Sequence, residues 1–503
     1  MKKNINSGIV CIMLAALSIS SCKKFLNVNT NPNVAQEATV KTLLPAAELY
    51  VGTAMGVEME IAGSFWAQYW TQSPGASQFH VLDQYAPGQD VFSTSWTNLY
   101  AGAENFYQLF NVADTLKKKQ YMAISLLMRA YTFQVITDGW GDVPFRQALK
   151  GQYADGHIIN PKYDSQMVVY AGIITFIDSA NKLLSTADLF HPGSDDLIYG
   201  GKMLKWIKFS NTLKLKIYLR MSEINPAGAR AGIAALYASA PAPVFIGVGD
   251  DAVIKYGFNS ANSNPLASDE TGLHGTQNLV GSSTAIDSMN SNSDPRINIF
   301  YQPTTSGAFS GIPQGFYQTA FAPGTFSLPS AYVAGDALDP QSSKAPVNLL
   351  TSYESLFLQA EVSARGWANP GMDSSLFFEA INASFTYYND ALTAATGVGG
   401  GASYLNYITA GGYWVNYPAT GTLAQKLSFI ITQKWFAMCG NQGFEAWTEW
   451  RRTGYPNFLA YSKTTLIGNT FPRRFLYPTT ESTTNSSYPG LVPLTAPVWW
   501  DKH

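Results

Sequence analysis

The chain has 503 residues, 46% apolar and 13% charged, enough apolar material for a large core or for a scaffold carrying long insertions. With 32 basic and 34 acidic residues the formal net charge is −2, so no basic field exists to hold phosphates, and nucleic acid is excluded as a partner. The three cysteines, Cys11, Cys22 and Cys439, cannot build a disulfide framework or a CxxC metal or redox site, and Cys439 reads as a small buried hydrophobe.

The N-terminus carries Lys2 and Lys3, an apolar run from Ile9 to Ile19, and then Ser20-Ser21-Cys22. A basic start, a short apolar core and small residues predict a secretory signal peptide over 1–21, too short for a membrane span. Ile19-Ser20-Ser21-Cys22 resembles the lipobox of bacterial lipoproteins, which implies acylation of Cys22 and stable anchoring by several acyl chains. No second run of transmembrane length is expected, so the body is read as anchored and not spanning. Residues 22–40, with Asn27-Val28-Asn29-Thr30-Asn31-Pro32-Asn33, read as a polar, lipidated tether.

From residue 41 to 503 the expectation is one all-α domain. Tyr121, Ile124, Met128, Tyr131 and Val135 recur at helical spacing, as do Tyr170, Ile173, Ile174 and Ile177. Trp206, Phe209, Leu213 and Ile217 form one stripe and Leu204, Ile207, Leu215 and Tyr218 a second, so this helix is predicted to pack between neighbours. Thr351-Ser352-Tyr353-Glu354 and Thr422-Leu423-Ala424-Gln425 have the pattern of capping boxes. Between about 241 and 350 the stripes vanish and Gly, Pro, Ser and Asn dominate, predicting a long irregular insertion with short strands at most. Long ordered loops on a rigid frame are where binding sites usually sit. Residues 397–420 and 469–503 read as further irregular stretches, and no clean internal repeat is visible.

The parts of an enzyme are missing from the sequence. His80, His157, His191, His274 and His503 make no helical metal pair, and there is no HExxH, GxSxG or Walker loop. Gly397-Val398-Gly399-Gly400-Gly401-Ala402 satisfies GxGxxA but follows a helical stretch, Phe377 to Leu392, where a dinucleotide site needs a strand; it reads as a flexible loop. Glu445 and Glu449 could serve as an acid–base pair on a glycoside, yet beside Arg451 and Arg452 they read as structural ion pairs. Asn290 to Tyr301 lacks the glycine and glutamate of a calcium loop. No cofactor or metal is expected.

Several segments taken together resemble the SusD/RagB family of nutrient-binding outer-membrane lipoproteins. They are Cys22 to Asn33; Asp138-Gly139-Trp140-Gly141-Asp142-Val143-Pro144-Phe145; Trp206 to Leu215; Asn292-Ser293-Asp294-Pro295-Arg296; Ala360 to Trp367; and Gln433-Lys434-Trp435 with Asn441 to Trp447 and Trp450 to Pro456. The resemblance implies a scaffold of four tetratricopeptide-like helix pairs with long loop insertions. It also implies a TonB-dependent, SusC-like outer-membrane transporter as partner, with this protein as a hinged lid that delivers a glycan or a peptide. Asp138, Trp140 and Asp142 are expected just past a helix end, in a structural role. Lys23 and Lys24 follow the cysteine where members sent to the outer leaflet often carry acids, so outer-membrane attachment is expected and the leaflet is left open.

Sugar rings stack their C–H faces on aromatic side chains and take hydrogen bonds from a few placed polar groups. Two stretches have that mixture. One is Phe65-Trp66-Ala67-Gln68-Tyr69-Trp70, continuing to His80; the other lies in the insertion, with Tyr256, Asn262, Asn264 and Tyr317. Trp66, Gln68, Tyr69, Trp70, His80, Tyr256, Asn262, Asn264 and Tyr317 are therefore the predicted ligand-binding residues, with Trp70 and Tyr317 preferred as platforms. The alternatives to a glycan-capturing lid are a peptide-capturing lid of the same type and a surface glycosidase.

Overall fold

The computed structural model describes residues 39–503 apart from 153–154, 187, 189 and 274, so the signal peptide, Cys22, the tether to residue 38 and His274 lie outside the described residues. The chain enters through α1 (Val40–Gly56), where Thr39 and Thr42 cap each other's backbone, and continues into α2 (Glu58–Trp66) and the one-turn α3 (His80–Asp83). Three long helices follow: α4 (Ser93–Thr115), α5 (Lys119–Trp140) and α6 (Gln166–Leu184). Each packs on the next, and α1 covers α4. Gly102 makes the α1–α4 approach possible, since a Cβ there would lie 3.0 Å from Val51 and 3.3 Å from the Ala47 carbonyl oxygen. Helix α5 is buried on nearly every side because it lies between α4 and α6.

Helix α6 departs from one expectation. It is 19 residues long with a mean hydropathy of 1.3, so by length and composition it could cross a membrane. Val169, Tyr170, Ile173, Ile177 and Ala180 are turned into the core, and Asp178, Asn181 and Lys182 interrupt the apolar sequence elsewhere.

Helix α7 (Met203–Arg220) buries Trp206, Phe209, Leu213 and Ile217 against the main core. On another side Leu215 and Leu219 join Ile233 and Leu236 of α8 (Pro226–Tyr237) and Leu358 and Val362 further along the chain in a second cluster. The two-sided packing read from the stripes is present, with Leu215 and Tyr218 in the second cluster, whereas Leu204, at 61% exposure, and the half-buried Ile207 lie outside both.

The insertion contains three helices that the composition concealed: α9 (Pro265–Gly272), α10 (Ser283–Ser291) and the short α11 (Ile297–Phe300). Three two-stranded antiparallel ladders tie the chain together: β1 (Trp70–Gln72) with β5 (Leu279–Gly281), β2 (Val143–Pro144) with β3 (Tyr163–Asp164), and β4 (Ala252–Ile254) with β6 (Val347–Leu350). The last ladder closes the insertion at its base, pairing Ile254 with Val347 and Ala252 with Leu350, with a one-residue slip between Ala252 and Val253.

The C-terminal half comprises α12 (Ser352–Ala364), α13 (Asp373–Tyr387), α14 (Asn389–Thr396), α15 (Gly400–Ala410), α16 (Leu423–Ala437), α17 (Gly443–Thr453) and the short α18 (Thr479–Thr484). Thr422 and Gln425 form the full capping box, whereas Thr351 caps Glu354 alone because the Glu354 carboxylate is engaged by Lys216 and Gln442. The expected irregular stretch from 397 is corrected by α15: Gly397 ends α14 in the left-handed region and Gly400 and Gly401 form the first turn of the next helix. A helix still precedes the glycines, so the geometry of a dinucleotide site is not met.

The two halves meet where α2 crosses α17. A Cβ on Gly63 would fall 2.1 Å from the Phe444 backbone nitrogen, so the crossing requires glycine there. The fold is all-α, built of packed tetratricopeptide-like helix pairs with a long insertion.

Candidate functional site

The predicted ligand-binding residues separate into four places. Trp66, Gln68, Tyr69 and Trp70 are fully buried, which corrects the expectation that they face a ligand. Trp66 is boxed by Trp447, Phe475 and Phe92 at ring distances of 4.7, 5.5 and 5.8 Å, and its indole N–H donates to the Leu82 carbonyl. Tyr69 donates to the Trp435 carbonyl, while Trp435 donates to the Ala67 carbonyl at 2.9 Å. Gln68, in a left-handed conformation, clamps Ala460 through both amide atoms and accepts from Thr284 at 2.7 Å. Trp70 heads β1, and its ring reaches the backbone at Gly335 and Gly440. Asn264 is also buried: its amide oxygen accepts from the backbone N–H of Leu266 at 2.8 Å, and its amide nitrogen donates to Ala345 at 2.7 Å. These side chains hold the wall of the scaffold.

His80 and Tyr317 come together at the surface, their rings 6.1 Å apart, with Gln84 donating to the Tyr317 hydroxyl at 2.9 Å. Asn262 is exposed on a turn and contacts no predicted partner. Tyr256 alone lines the large cleft described next.

That cleft has a volume of about 690 Å³. Its walls come from four separated segments: Tyr199 with Lys202 and Lys205; Asp251, Val253, Lys255 and Tyr256 along and just past β4; Tyr332 with Lys344; and Tyr387, Tyr388 and Asp390 where α13 passes into α14. Tyr256 presents its ring, because its hydroxyl is buried beside Gly52 of α1. Tyr199 is anchored by a hydrogen bond to the Asp250 carbonyl at 3.0 Å and by an edge contact to Trp206 at 5.1 Å. Tyr387 donates to Asn348 at 2.6 Å and stands perpendicular to Tyr388, whose hydroxyl donates to the Ala437 carbonyl. Tyr332 is 49% exposed and is the most open ring of the set. Burial pushes the phenols of Tyr199, Tyr256 and Tyr387 well above their ordinary range, so each stays a neutral ring.

Two further cavities adjoin. One of about 510 Å³ lies beside Phe258, whose ring is covered by the Lys344 ammonium at 3.8 Å. Another of about 680 Å³ shares Ser263 and Ser268 with it and reaches Phe79 and Glu58.

Tyr199, Tyr332, Tyr387, Tyr388 and the four lysines escaped the sequence reading. The Tyr387-Tyr388 doublet before Asn389-Asp390 is the one local signal, since folding alone brings the four segments together.

The acid pair Glu445 and Glu449 is structural, as its neighbours implied. Arg220 meets Glu445 at 2.7 Å, Glu449, and Asp138 at 3.3 Å; Arg452 bridges Glu449 and Glu361, both at 2.7 Å; Lys216 bridges Glu354 at 3.0 Å and Glu445 at 2.8 Å. Burial alone would raise the Glu445 carboxyl, but Arg220, Lys216 and Lys434 hold it at about 2. An acid that stays ionised at every working pH cannot donate a proton to a leaving group. Asp138 lies in the last turn of α5, not beyond it, and accepts from Tyr170 and from Trp500 at 2.8 Å. Cys439 is a buried free thiol 3.2 Å from the Tyr301 hydroxyl. Among the described residues no group of three or more His, Cys, Asp or Glu side chains is placed to hold a metal.

The SusD-like family, described as starch-binding and associating with the outer membrane, matches residues 32–478. A SusD homolog from Bacteroides fragilis superimposes with a TM-score of 0.75 at 21% identity, covering 92% of this chain and 99% of that one. A chitin-binding SusD homolog from Flavobacterium johnsoniae gives 0.71 at 24% identity, covering 91% and 98%. A SusD-like protein from Bacteroides thetaiotaomicron gives 0.69 at 22% identity, covering 92% and 98%. No curated protein matches the chain. The structures share its fold, and the match along most of the sequence carries the conclusion that this chain belongs to the SusD-like family of binding proteins that associate with the outer membrane.

Proposed function

We propose that this protein captures an oligosaccharide in the tyrosine-lined cleft and delivers it to a TonB-dependent, SusC-like transporter, held at the outer membrane by acyl chains on Cys22. The observation that carries the reading is the cleft, with neutral phenol rings on several walls and hydroxyl and amide groups along the adjoining cavities. Its volume lies within the ordinary range for a small-ligand site, roughly 300–1,000 Å³. The family description and the chitin-binding relative favour a glycan over a peptide.

The protein acts without catalysis. Of the two carboxyls on the cleft wall, Asp251 is occupied by the Ser352 backbone N–H at 2.7 Å and hydroxyl at 2.8 Å, which ties it to the start of α12. That leaves Asp390 without the second acid a glycosidase needs.

The test is calorimetric titration of the mature protein and its Tyr332→Ala and Tyr256→Phe variants with a glycan panel, alongside an assay for new reducing ends. Binding that weakens in Tyr332→Ala, survives in Tyr256→Phe and releases no reducing ends is the expected result. Turnover, or binding of peptides in place of glycans, would overturn it. Cys22→Ala is expected to move the folded protein from the membrane to the soluble fraction and to abolish fatty-acid labelling. Co-purification of wild type with a large outer-membrane barrel tests delivery.

A further inference from the structure

Resting on that reading, we infer that the ligand of the tyrosine cleft is an acidic oligosaccharide, whose carboxylate or sulfate groups are met by Lys202, Lys255 and Lys344. Aromatic rings alone would suit a neutral sugar equally well; the charge on the cleft wall points to an acidic one.

The chain as a whole is slightly acidic, yet this one cleft collects four lysines against two aspartates. One of the four is satisfied: Lys205 reaches Asp250 at 3.5 Å, a carboxylate it shares with Lys208. One of the two acids is partly engaged: Oδ1 of Asp251 accepts from both the Ser352 backbone N–H and its hydroxyl. Three ammonium groups with no acid partner then stand against Asp390 and the second oxygen of Asp251. Among the described residues no carboxylate lies within ion-pairing distance of Lys202, Lys255 or Lys344, and Lys344 contacts only the Phe258 ring. Elsewhere on the α7 helix the pattern is the reverse, with Lys208, Lys214 and Lys216 each placed against an acid.

The lysines stand on different walls, from the turn before α7, the end of β4 and the segment before β6. A ring lying against Tyr332 or Tyr256 would therefore meet positive charge from more than one direction. An acidic sugar has both requirements, a C–H face for the phenol and an anionic group at the ring edge. Inside a concave wall such pairing is screened less than on open surface.

The experiment titrates the mature protein with oligosaccharides of matched length: a uronate series, a sulfated galactan series and neutral maltose and chitin series. Either acidic series, or both, is expected to bind about tenfold more tightly than the neutral ones at low salt. That gap is expected to close toward 0.5 M NaCl, where the screening length falls to a few Å, roughly 4 Å. The series that binds assigns carboxylate or sulfate as the recognised group. Lys255→Gln with Lys344→Gln is expected to cost the acidic ligand roughly tenfold in affinity, about 1.4 kcal/mol, and to leave the melting temperature unchanged because both side chains are exposed. Lys255→Arg with Lys344→Arg is expected to restore affinity. Neutral glycans binding as tightly as acidic ones, with no response to the glutamine variants, would overturn this inference and leave glycan capture standing. If no glycan binds, or if acidic peptides bind instead, both readings fall.

Discussion

Arg220, Arg452 and Lys216 in the scaffold interior each meet two or more carboxylates, while Lys202, Lys255 and Lys344 around the cleft meet none among the described residues. The same residue types are used in opposite ways. In the interior the charges are sealed from water, so each must be answered within the protein, and the network fixes how α7, α12, α16 and α17 sit together. At the cleft the charges keep contact with water, so leaving them unanswered costs little and the field is available to a ligand. Aromatic residues divide in the same way. Trp66, Trp70 and Trp447 are consumed by packing, whereas Tyr256 and Tyr332 keep ring surface on a cavity.

The largest expected effect breaks the interior side of this comparison. Glu449→Ala would leave Arg220 and Arg452 with fewer carboxylates in a water-free site, and is expected to cost roughly 3–5 kcal/mol in chemical denaturation. A loss below about 1 kcal/mol would mean that water reaches the network. Trp70→Ala is expected to cost a similar amount, roughly 3–5 kcal/mol, with a lower melting temperature and any affinity loss following from instability. Normal stability with lost binding would return Trp70 to the ligand site.

Acid titration separates two classes of buried carboxyl. Burial raises Glu60 and Asp83 to about 7, outweighing the hydrogen bonds each accepts. Between roughly pH 4 and 7 the folded state then binds more protons than the unfolded chain, so stability falls as pH rises through that window. Glu445 is held at about 2, so its contribution is complete above its ordinary range and is lost as pH falls toward 2. Stability is expected to peak near pH 4–5 (about the ordinary carboxyl range), and Glu60→Gln with Asp83→Asn should flatten the upper limb only. An unchanged upper limb would show that those two carboxyls are reached by solvent. The smallest effect sharpens the cleft side: Tyr332→Ala is expected to cost less than about 0.5 kcal/mol in stability, and about 1–2 kcal/mol in affinity.

Periodicity made the scaffold legible, since Trp206, Phe209, Leu213 and Ile217 can share a stripe only on a helix with one side buried. Composition was the weaker guide. It hid α9, α10 and α15, because a helix that starts with Pro, Ser or Gly and is held by its neighbours needs no apolar stripe of its own. It also made Trp66 and Trp70 look like a platform, although a dense aromatic run next to a glycine-containing helix is equally what fills a helix crossing. The cleft itself was legible only at Tyr256. Its other walls are contributed by residues far apart in sequence, and no local pattern records that a tyrosine before α7 will face another after α13.

The β4–β6 ladder has a consequence for how such a protein can diversify. The segment between Ile254 and Val347 begins and ends side by side, so its base is closed by a clasp, while its middle is tied to the scaffold through Arg296 and Tyr301. Besides that clasp, the only ladder fastening the segment among the described residues is β1–β5. The entropy of closing a loop grows slowly with its length, by about 0.6 kcal/mol for each doubling. The exposed turns of the segment, at 259–262 and 305–308, can therefore be lengthened or rewritten at little cost, while Ile297, Ile299, Phe300 and Tyr301, packed in the main core, must stay as they are.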